Sequence, residues 1–288
     1  MQVSIGLPST IPGVPGDLLF AWAQQADAGP FASLGVIGRL VYPNYESLIT
    51  LSAMAGVTRR LRLLTAALLA PLYNTGVLAK QAASLDALCG GRLTLGLGIG
   101  NRRDDYEAAP GSFGQRGRHF DEQLALLKRI WSGASLNERV GPIGPAPIQP
   151  GGPELLIGGR AEVALNRVAR WASGYLSSET DVQRALAHYQ RVEAFWKEEG
   201  RGGRPRFVGI TYFGLGKGAE EHIQSYLRGY YAFRGPQAEA IVKAASSTPA
   251  MVKETLRIWA DIGMDELLFW PCLASLDQVE RLAQLVEG

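Results

Sequence analysis

The feature that most constrains the fold of this chain is a regular alternation of short apolar runs with longer stretches of helical period. In one repeat, an apolar run at 61–69 precedes a stretch that begins at the Asn74 cap and ends at Gly90 and Gly91. Such alternation is typical of βαβ units, in which a helix crosses back between two parallel strands. The sequence therefore predicts a parallel α/β fold.

Eight such units can be counted along the 288 residues. Eight strands, each followed by helix, match the (β/α)8 barrel, for which about 250 residues is typical. We therefore expect one TIM-barrel domain over 1–288, and an open doubly wound sheet is the alternative, less often built of eight regular units. Ser275 and Gln278 suggest a capping box for the last helix. The predicted strands cover 3–7, 34–37, 61–69, 92–99, 154–157, 174–177, 205–215 and 266–270, and the predicted helices cover 17–28, 45–57, 74–90, 118–131, 161–173, 182–199, 219–245 and 249–261, with a last helix after Ser275.

Composition narrows the class of protein further. Lys and Arg total 29 against 27 Asp and Glu, a formal net charge of +2, which does not favour nucleic acid as a partner. No apolar run reaches the roughly 18 residues of a membrane span, and the N-terminus does not resemble a secretion signal. The two cysteines, Cys89 and Cys272, lie far apart in apolar surroundings, which fits a reducing compartment. We expect a cytoplasmic protein with no membrane partner.

In a TIM barrel the chemistry lies at the carboxyl ends of the strands. In the fourth predicted strand and directly after it, Gly96, Gly98 and Gly100 alternate and so leave one face without side chains. That bare face indicates either a surface for a flat ligand or relief of crowding inside the barrel. The G-x-G-x-G spacing and its place within a strand exclude the dinucleotide-binding fingerprint, which has G-x-G-x-x-G at the start of a helix.

A second glycine pair, Gly158 and Gly159, stands with Arg160 directly before a predicted helix. Backbone N–H groups at the start of a helix bind phosphate, and an arginine adds a charged donor. The alternative is an ordinary turn between strand and helix.

The sequence lacks the residue patterns that zinc sites and serine hydrolases require. The three histidines, His119, His188 and His222, fall in predicted helices without partners at zinc spacing, so we expect no metal. The acidic residues 104, 105 and 107 are interpreted as a solvated loop face. The chain also lacks a G-x-S-x-G elbow for a hydrolase.

Several ordered motifs resemble the bacterial luciferase-like flavin-dependent oxidoreductases, strongly over about residues 1–180. The resemblance implies a TIM barrel that binds reduced FMN or the deazaflavin F420 at the strand ends. These motifs are LTAALLAPL at 64–72, LAKQAASLD at 78–86, GGRLTLGLGIG at 90–100, RGRHFDEQL at 116–124 and PELLIGG at 153–159.

The resemblance also assigns roles to residues of this chain. It implies a cis peptide bond between Ala66 and Ala67 that supports the flavin ring, and a phosphate site after the fifth strand. The bare glycine face then adjoins the ring pocket. The cofactor-binding candidates are Ala66, Ala67, Gly98, Gly100, Asn101, Gly158, Gly159 and Arg160.

Three functions follow from the resemblance. The first is a monooxygenase acting on a small organic substrate with reduced FMN from a separate reductase, since the chain has no nicotinamide fingerprint. The second is F420-dependent hydride transfer, for which Arg102, Arg103 and Arg160 would converge on one groove. The third is a flavin-binding protein without turnover. A homodimer through helices at the side of the barrel is a further expectation.

The chain departs from luciferase at the end of the second strand. Luciferase has an acidic residue and a histidine there for proton transfer, whereas this chain has Gly38 and Arg39. Arg39 is therefore the catalytic-site candidate that would hold an anionic substrate or a flavin oxygen, with a structural ion pair as the alternative. Weaker pocket candidates are Tyr42, Asn44, Tyr45 and Asn74.

Overall fold

Eight parallel strands close into one barrel in the computed structural model, which describes residues 1–109 and 111–287. The strands follow one another around the barrel in chain order, and β1 pairs with β8 to close it. The predicted (β/α)8 barrel is confirmed, and the open-sheet alternative is wrong. The strands are β1 (Gln2–Gly6), β2 (Ser33–Val36), β3 (Arg62–Leu69), β4 (Leu93–Gly98), β5 (Glu154–Gly158), β6 (Gly174–Ser177), β7 (Arg206–Phe213) and β8 (Glu266–Pro271).

The helices surround this barrel and bury their apolar stripes against it. Within the described residues, no helix combines the length and apolarity that crossing a bilayer requires. The helices are α1 (Gly16–Ala28), α2 (Ser47–Val57), α3 (Thr75–Leu88), α4 (Arg103–Glu107), α5 (Arg116–Trp131), α6 (Glu162–Trp171), α7 (Val182–Glu198), α8 (Ala219–Tyr230), α9 (Ala238–Ala244), α10 (Pro249–Asp261) and α11 (Asp277–Glu287), with short 3-10 helices at Ala70–Leu72 and Ala232–Gln237.

Two local predictions need correction. The stretch 219–245 is not one helix, because the chain turns at Gly235, whose φ is 55°, and forms the 3-10 helix between α8 and α9. Gln278 does not form a capping box with Ser275. Its side-chain amide instead exchanges two hydrogen bonds of 2.8 Å with the backbone of Leu215, so a tertiary contact takes the group that local spacing assigned to the cap.

A layer of charged side chains lies at the end of the barrel where the strands begin. Glu154 accepts from Arg62 at 3.0 Å and from Arg206 at 2.7 Å. Arg206 also pairs with Glu266, whose other oxygen accepts from the Ser4 hydroxyl at 2.5 Å. Because buried charges are costly unless they are paired, removal of one member of this network should destabilise the barrel.

The contribution of this charged layer to the free energy of unfolding should depend on pH. Burial by itself raises the pKa of the Glu154 carboxyl, but Arg206 and Arg62 outweigh it and hold that pKa below its usual range. A carboxyl of this kind stabilises the fold above its unfolded pKa of about 4.3, and the contribution is lost as pH falls through the folded pKa. We expect the free energy of unfolding to fall below about pH 4.5, and less steeply in Glu154→Gln. Urea unfolding across this range measures both slopes, and equal slopes would contradict the assignment.

Candidate functional site

A cavity of about 400 Å³ opens at the carboxyl ends of the strands. This is the end of a TIM barrel where ligands bind, because the loops after the strands converge there. The catalytic-site candidate and the eight cofactor-binding candidates from the sequence all line this one cavity. They are Arg39, Ala66, Ala67, Gly98, Gly100, Asn101, Gly158, Gly159 and Arg160.

The three alternating glycines of the β4 region have different roles. A Cβ at Gly96 would stand 2.0 Å from the Thr65 carbonyl oxygen, so this glycine allows β3 and β4 to approach. A Cβ at Gly98 would meet only the Ala67 Cβ, at 3.6 Å, and Gly98 lines the cavity. Gly100 has a φ of 67° and turns the chain out of the strand. Relief of crowding therefore explains Gly96, and a flat cavity wall explains Gly98.

Ala66 and Ala67 form the neighbouring wall. The peptide bond between them is cis, as predicted. The pairing of β3 with β4 shifts by one residue between Ala66 and Leu68. The Ala67 carbonyl accepts from the Gly38 N–H at 3.3 Å, which ties this wall to the loop after β2.

The turn from β5 into α6 has free backbone donors. Ala161 precedes the helix and gives it no side-chain cap, and the N–H groups of Glu162 and Val163 have no acceptor among the described residues. Gly159 has a φ of 153°, and a Cβ there would lie 2.4 Å from the Ala164 Cβ. Since unpaired N–H groups at a helix start favour anions, this turn can hold a phosphate.

A buried carboxylate that the sequence did not reveal fixes Arg160. Glu179 is 3% exposed and pairs with the Arg160 Nε at 2.6 Å, and Arg160 also donates to the Ser178 carbonyl. Arg184 and His188 lie 3.7 Å from the same carboxylate. The Arg160 guanidinium is therefore held at the cavity edge with part of its charge already balanced.

The solvated face expected for the acidic residues after β4 is wrong for Asp105, whereas Glu107 is exposed and Asp104 is partly exposed. Asp105 is buried and accepts from the N–H groups of Leu40 and Val41, at 3.1 and 2.8 Å. It also lies 3.6 Å from the Arg102 Nε. These contacts attach α4 to the loop after β2. In the described part of the chain, His, Cys, Asp and Glu form no group of three that could hold a metal.

The arginines proposed for a polyanionic tail do not all converge. Arg102 and Arg160 line the cavity, but each pairs with a carboxylate. Arg103 is exposed, lies outside the cavity lining and stacks on Phe113 at 4.7 Å. The convergence that F420 binding would need therefore does not include Arg103.

Arg39 lies among aromatic side chains. Its guanidinium carbon is 4.1 Å from the Tyr42 ring centroid, 4.7 Å from that of Tyr230 and 5.7 Å from that of Phe233. One nitrogen donates to the Tyr230 carbonyl at 3.0 Å. Among the described residues no carboxylate pairs with Arg39, so the structural ion pair considered from the sequence is not formed. Tyr230, Tyr231 and Phe233 lie close together in the sequence, and this group of aromatic residues was the signal that could have indicated the cluster.

Tyr231 lines the cavity, and its phenol pairs with that of the buried Tyr212. The hydroxyls of Tyr212 and Tyr231 lie 2.6 Å apart, and burial raises the pKa of both phenols. Two weaker candidates are structural, since the Tyr45 hydroxyl donates to the Val14 carbonyl and Asn74 caps α3.

Sequence comparison relates this chain to a known family and to individual proteins. The family model described as luciferase-like monooxygenase matches residues 12–270. An uncharacterised protein of Mycobacterium tuberculosis is 32% identical over 166 residues, 55% of this chain and 57% of the relative. An FMNH2-dependent dimethylsulfone monooxygenase of Pseudomonas putida is 24% identical over 67% of this chain and 55% of its own length. The chain thus matches little more than half the length of these relatives.

Solved structures share the fold. The monooxygenase RslO1 from Streptomyces bottropensis superposes with a TM-score of 0.80 at 20% identity, covering 99% of this chain and 97% of that one. An F420-dependent secondary alcohol dehydrogenase, solved with an F420-acetone adduct, gives 0.82 at 10% identity and covers 100% and 99%. At these identities the likeness concerns the fold alone.

Proposed function

This chain belongs to the luciferase-like monooxygenase family, and from that premise we propose that it is a monooxygenase using reduced FMN from a separate reductase. The observation that carries the proposal is one cavity with a flat wall at Gly98 and, at Gly159, a turn that can hold a phosphate. A flavin mononucleotide has one flat ring and one phosphate. The residues therefore fit the group that the family implies.

Each part of the site has a role in this proposal. Ala66, Ala67 and Gly98 would lie against the ring, and the N–H groups of Glu162 and Val163 would hold the phosphate. Reduced FMN, when bound, supplies the electrons for oxygen chemistry, while the protein orients the reactants and excludes water. Apolar side chains such as Ile157 and Leu176 line the cavity and serve that exclusion.

F420-dependent hydride transfer is the second candidate, favoured by the six arginines that line the cavity. Three of them are already paired: Arg102 with Asp105, Arg160 with Glu179 and Arg167 with Asp121. A long polyanionic tail would have to compete with these carboxylates, whereas one phosphate can use the free N–H groups of α6. This comparison supports FMN.

Anaerobic titration of the purified protein with reduced FMN, reduced riboflavin and F420 tests the proposal. Charge-assisted hydrogen bonds contribute about 1.5–3 kcal/mol each, so reduced FMN should bind at least about tenfold more tightly than reduced riboflavin. Tighter binding of F420 would replace the proposal with hydride transfer. Binding of reduced FMN without substrate-stimulated oxygen uptake, with a reductase supplied, would leave a flavin-binding protein.

A further inference from the structure

Two arginines at the cavity mouth keep charged donors without acceptors. Arg39 follows β2, and Arg234 lies in the 3-10 helix after α8; both line the cavity. The Nε atom of each is buried and has no hydrogen-bond partner in the described residues. Since an unpaired buried donor is costly and a charged one more so, this pair favours an anionic ligand.

The surroundings of Arg39 restrict how that ligand binds. Tyr42, Tyr230 and Phe233 lie around the guanidinium at 4.1–5.7 Å. The Phe233 ring is also 5.8 Å from the Arg234 guanidinium. With the rings packed around it and one nitrogen bonded to the Tyr230 carbonyl, Arg39 has an Nε in the guanidinium plane that no described residue pairs with. A carboxylate, with two oxygens side by side, matches an arginine edge.

A smaller cavity of about 270 Å³ supplies an independent observation. Arg39 lines it as well as the main cavity, together with Asn44 and Ser47. Ser47 is 2% exposed, and both its hydroxyl and the Asn44 side-chain oxygen are buried without partners. Glu46 also lines this cavity, but its oxygens already accept from the Ile49 N–H at 2.7 Å and the Tyr73 hydroxyl at 2.8 Å. Of these two unpaired atoms, the Ser47 hydroxyl can donate to an anion, and it lines the same cavity as Arg39.

We propose that the substrate of this site is an organic carboxylate whose anionic group binds Arg39, with Arg234 adding positive charge nearby. The Ser47 hydroxyl is a further donor on the side of the smaller cavity. The apolar body of the molecule then extends into the main cavity towards Ile37 and Ile210, which line it. The role of this carboxylate as the substrate rests on the proposed function. The anion site itself can be measured without any cofactor.

Calorimetric titration of the full chain with benzoate and with benzamide tests this proposal. The two probes have nearly the same shape and differ in charge. We expect benzoate to bind at least tenfold more tightly than benzamide, and Arg39→Gln to remove that difference. Arg39→Lys keeps the positive charge but lacks the planar edge of the guanidinium. This variant should retain only part of the difference in affinity between benzoate and benzamide. The matched control is Arg103→Gln, which loses an exposed arginine that also stacks on a ring and should bind benzoate normally.

The outcomes separate this inference from the proposed function. Equal binding of the two probes, or undiminished benzoate binding in both Arg39 variants, would overturn the inference, and the flavin titration would be unaffected. Loss of benzoate binding in Arg160→Gln but not in Arg39→Gln would place the anion at the phosphate-binding turn, which also overturns it. Benzoate binding through Arg39 in a chain that binds no flavin would support the anion site and contradict the monooxygenase proposal.

Discussion

Arg206→Met is expected to lower the free energy of unfolding by about 3–5 kcal/mol, the usual cost of leaving a buried charge without its partner. Arg206 pairs with both Glu154 and Glu266, and the Glu266 side chain is only 1% exposed. In the variant, Glu266 keeps only the Ser4 hydroxyl. Urea unfolding of both proteins at pH 7, followed by far-ultraviolet circular dichroism, measures the difference.

Two further variants make this result specific. Arg257→Met removes an arginine that is 61% exposed and pairs with Glu254 and Asp261 on the surface of α10, so it should lower the stability far less than Arg206→Met does. In Arg206→Met with Glu266→Leu, both partners become apolar, and part of the lost stability should return. A loss as small in Arg206→Met as in Arg257→Met would show that the charged layer does not stabilise the barrel.

The barrel could be predicted because its evidence is local. The strand predicted at 92–99 is β4, Leu93–Gly98, and the apolar run and the glycine pair that define it are contiguous in sequence. Asp105 could not be interpreted in this way. Its acceptor role depends on Leu40 and Val41, which are 65 and 64 residues earlier in the chain. The charge of Asp105 therefore predicted an exposed side chain, whereas a loop that is distant in sequence buries its carboxylate.

The same distinction separates the parts of the candidate site. Gly98 and Gly159 could be found because barrel topology places the strand ends together. The contact between Arg39 and Tyr230 joins residues 191 positions apart, and no spacing in the sequence indicates it. Glu179 was missed for a related reason, since a lone carboxylate after β6 acquires meaning only when Arg160 is found beside it.

Gly159→Ala is expected to weaken FMN binding by about 100-fold, which corresponds to about 2.7 kcal/mol, while riboflavin binding changes by less than about threefold. The added Cβ would lie 2.4 Å from the Ala164 Cβ, so the turn must move away from the first turn of α6. That movement displaces the free N–H groups of Glu162 and Val163, each of which can contribute about 1.5–3 kcal/mol to a bound phosphate. Fluorescence titration with FMN and riboflavin measures both affinities.

Comparison of the two ligands isolates the phosphate, because riboflavin has the same ring and lacks only that group. Gly133→Ala is the matched control: Gly133 also has positive φ, at 77°, but a Cβ there meets nothing within 4 Å and the residue does not line the cavity. Gly133→Ala therefore introduces a similar backbone strain but does not displace the turn before α6. The affinities for FMN and riboflavin should both stay unchanged. Equal weakening of FMN and riboflavin in Gly159→Ala would locate the damage at the ring wall, and unchanged FMN binding would exclude this turn as the phosphate site.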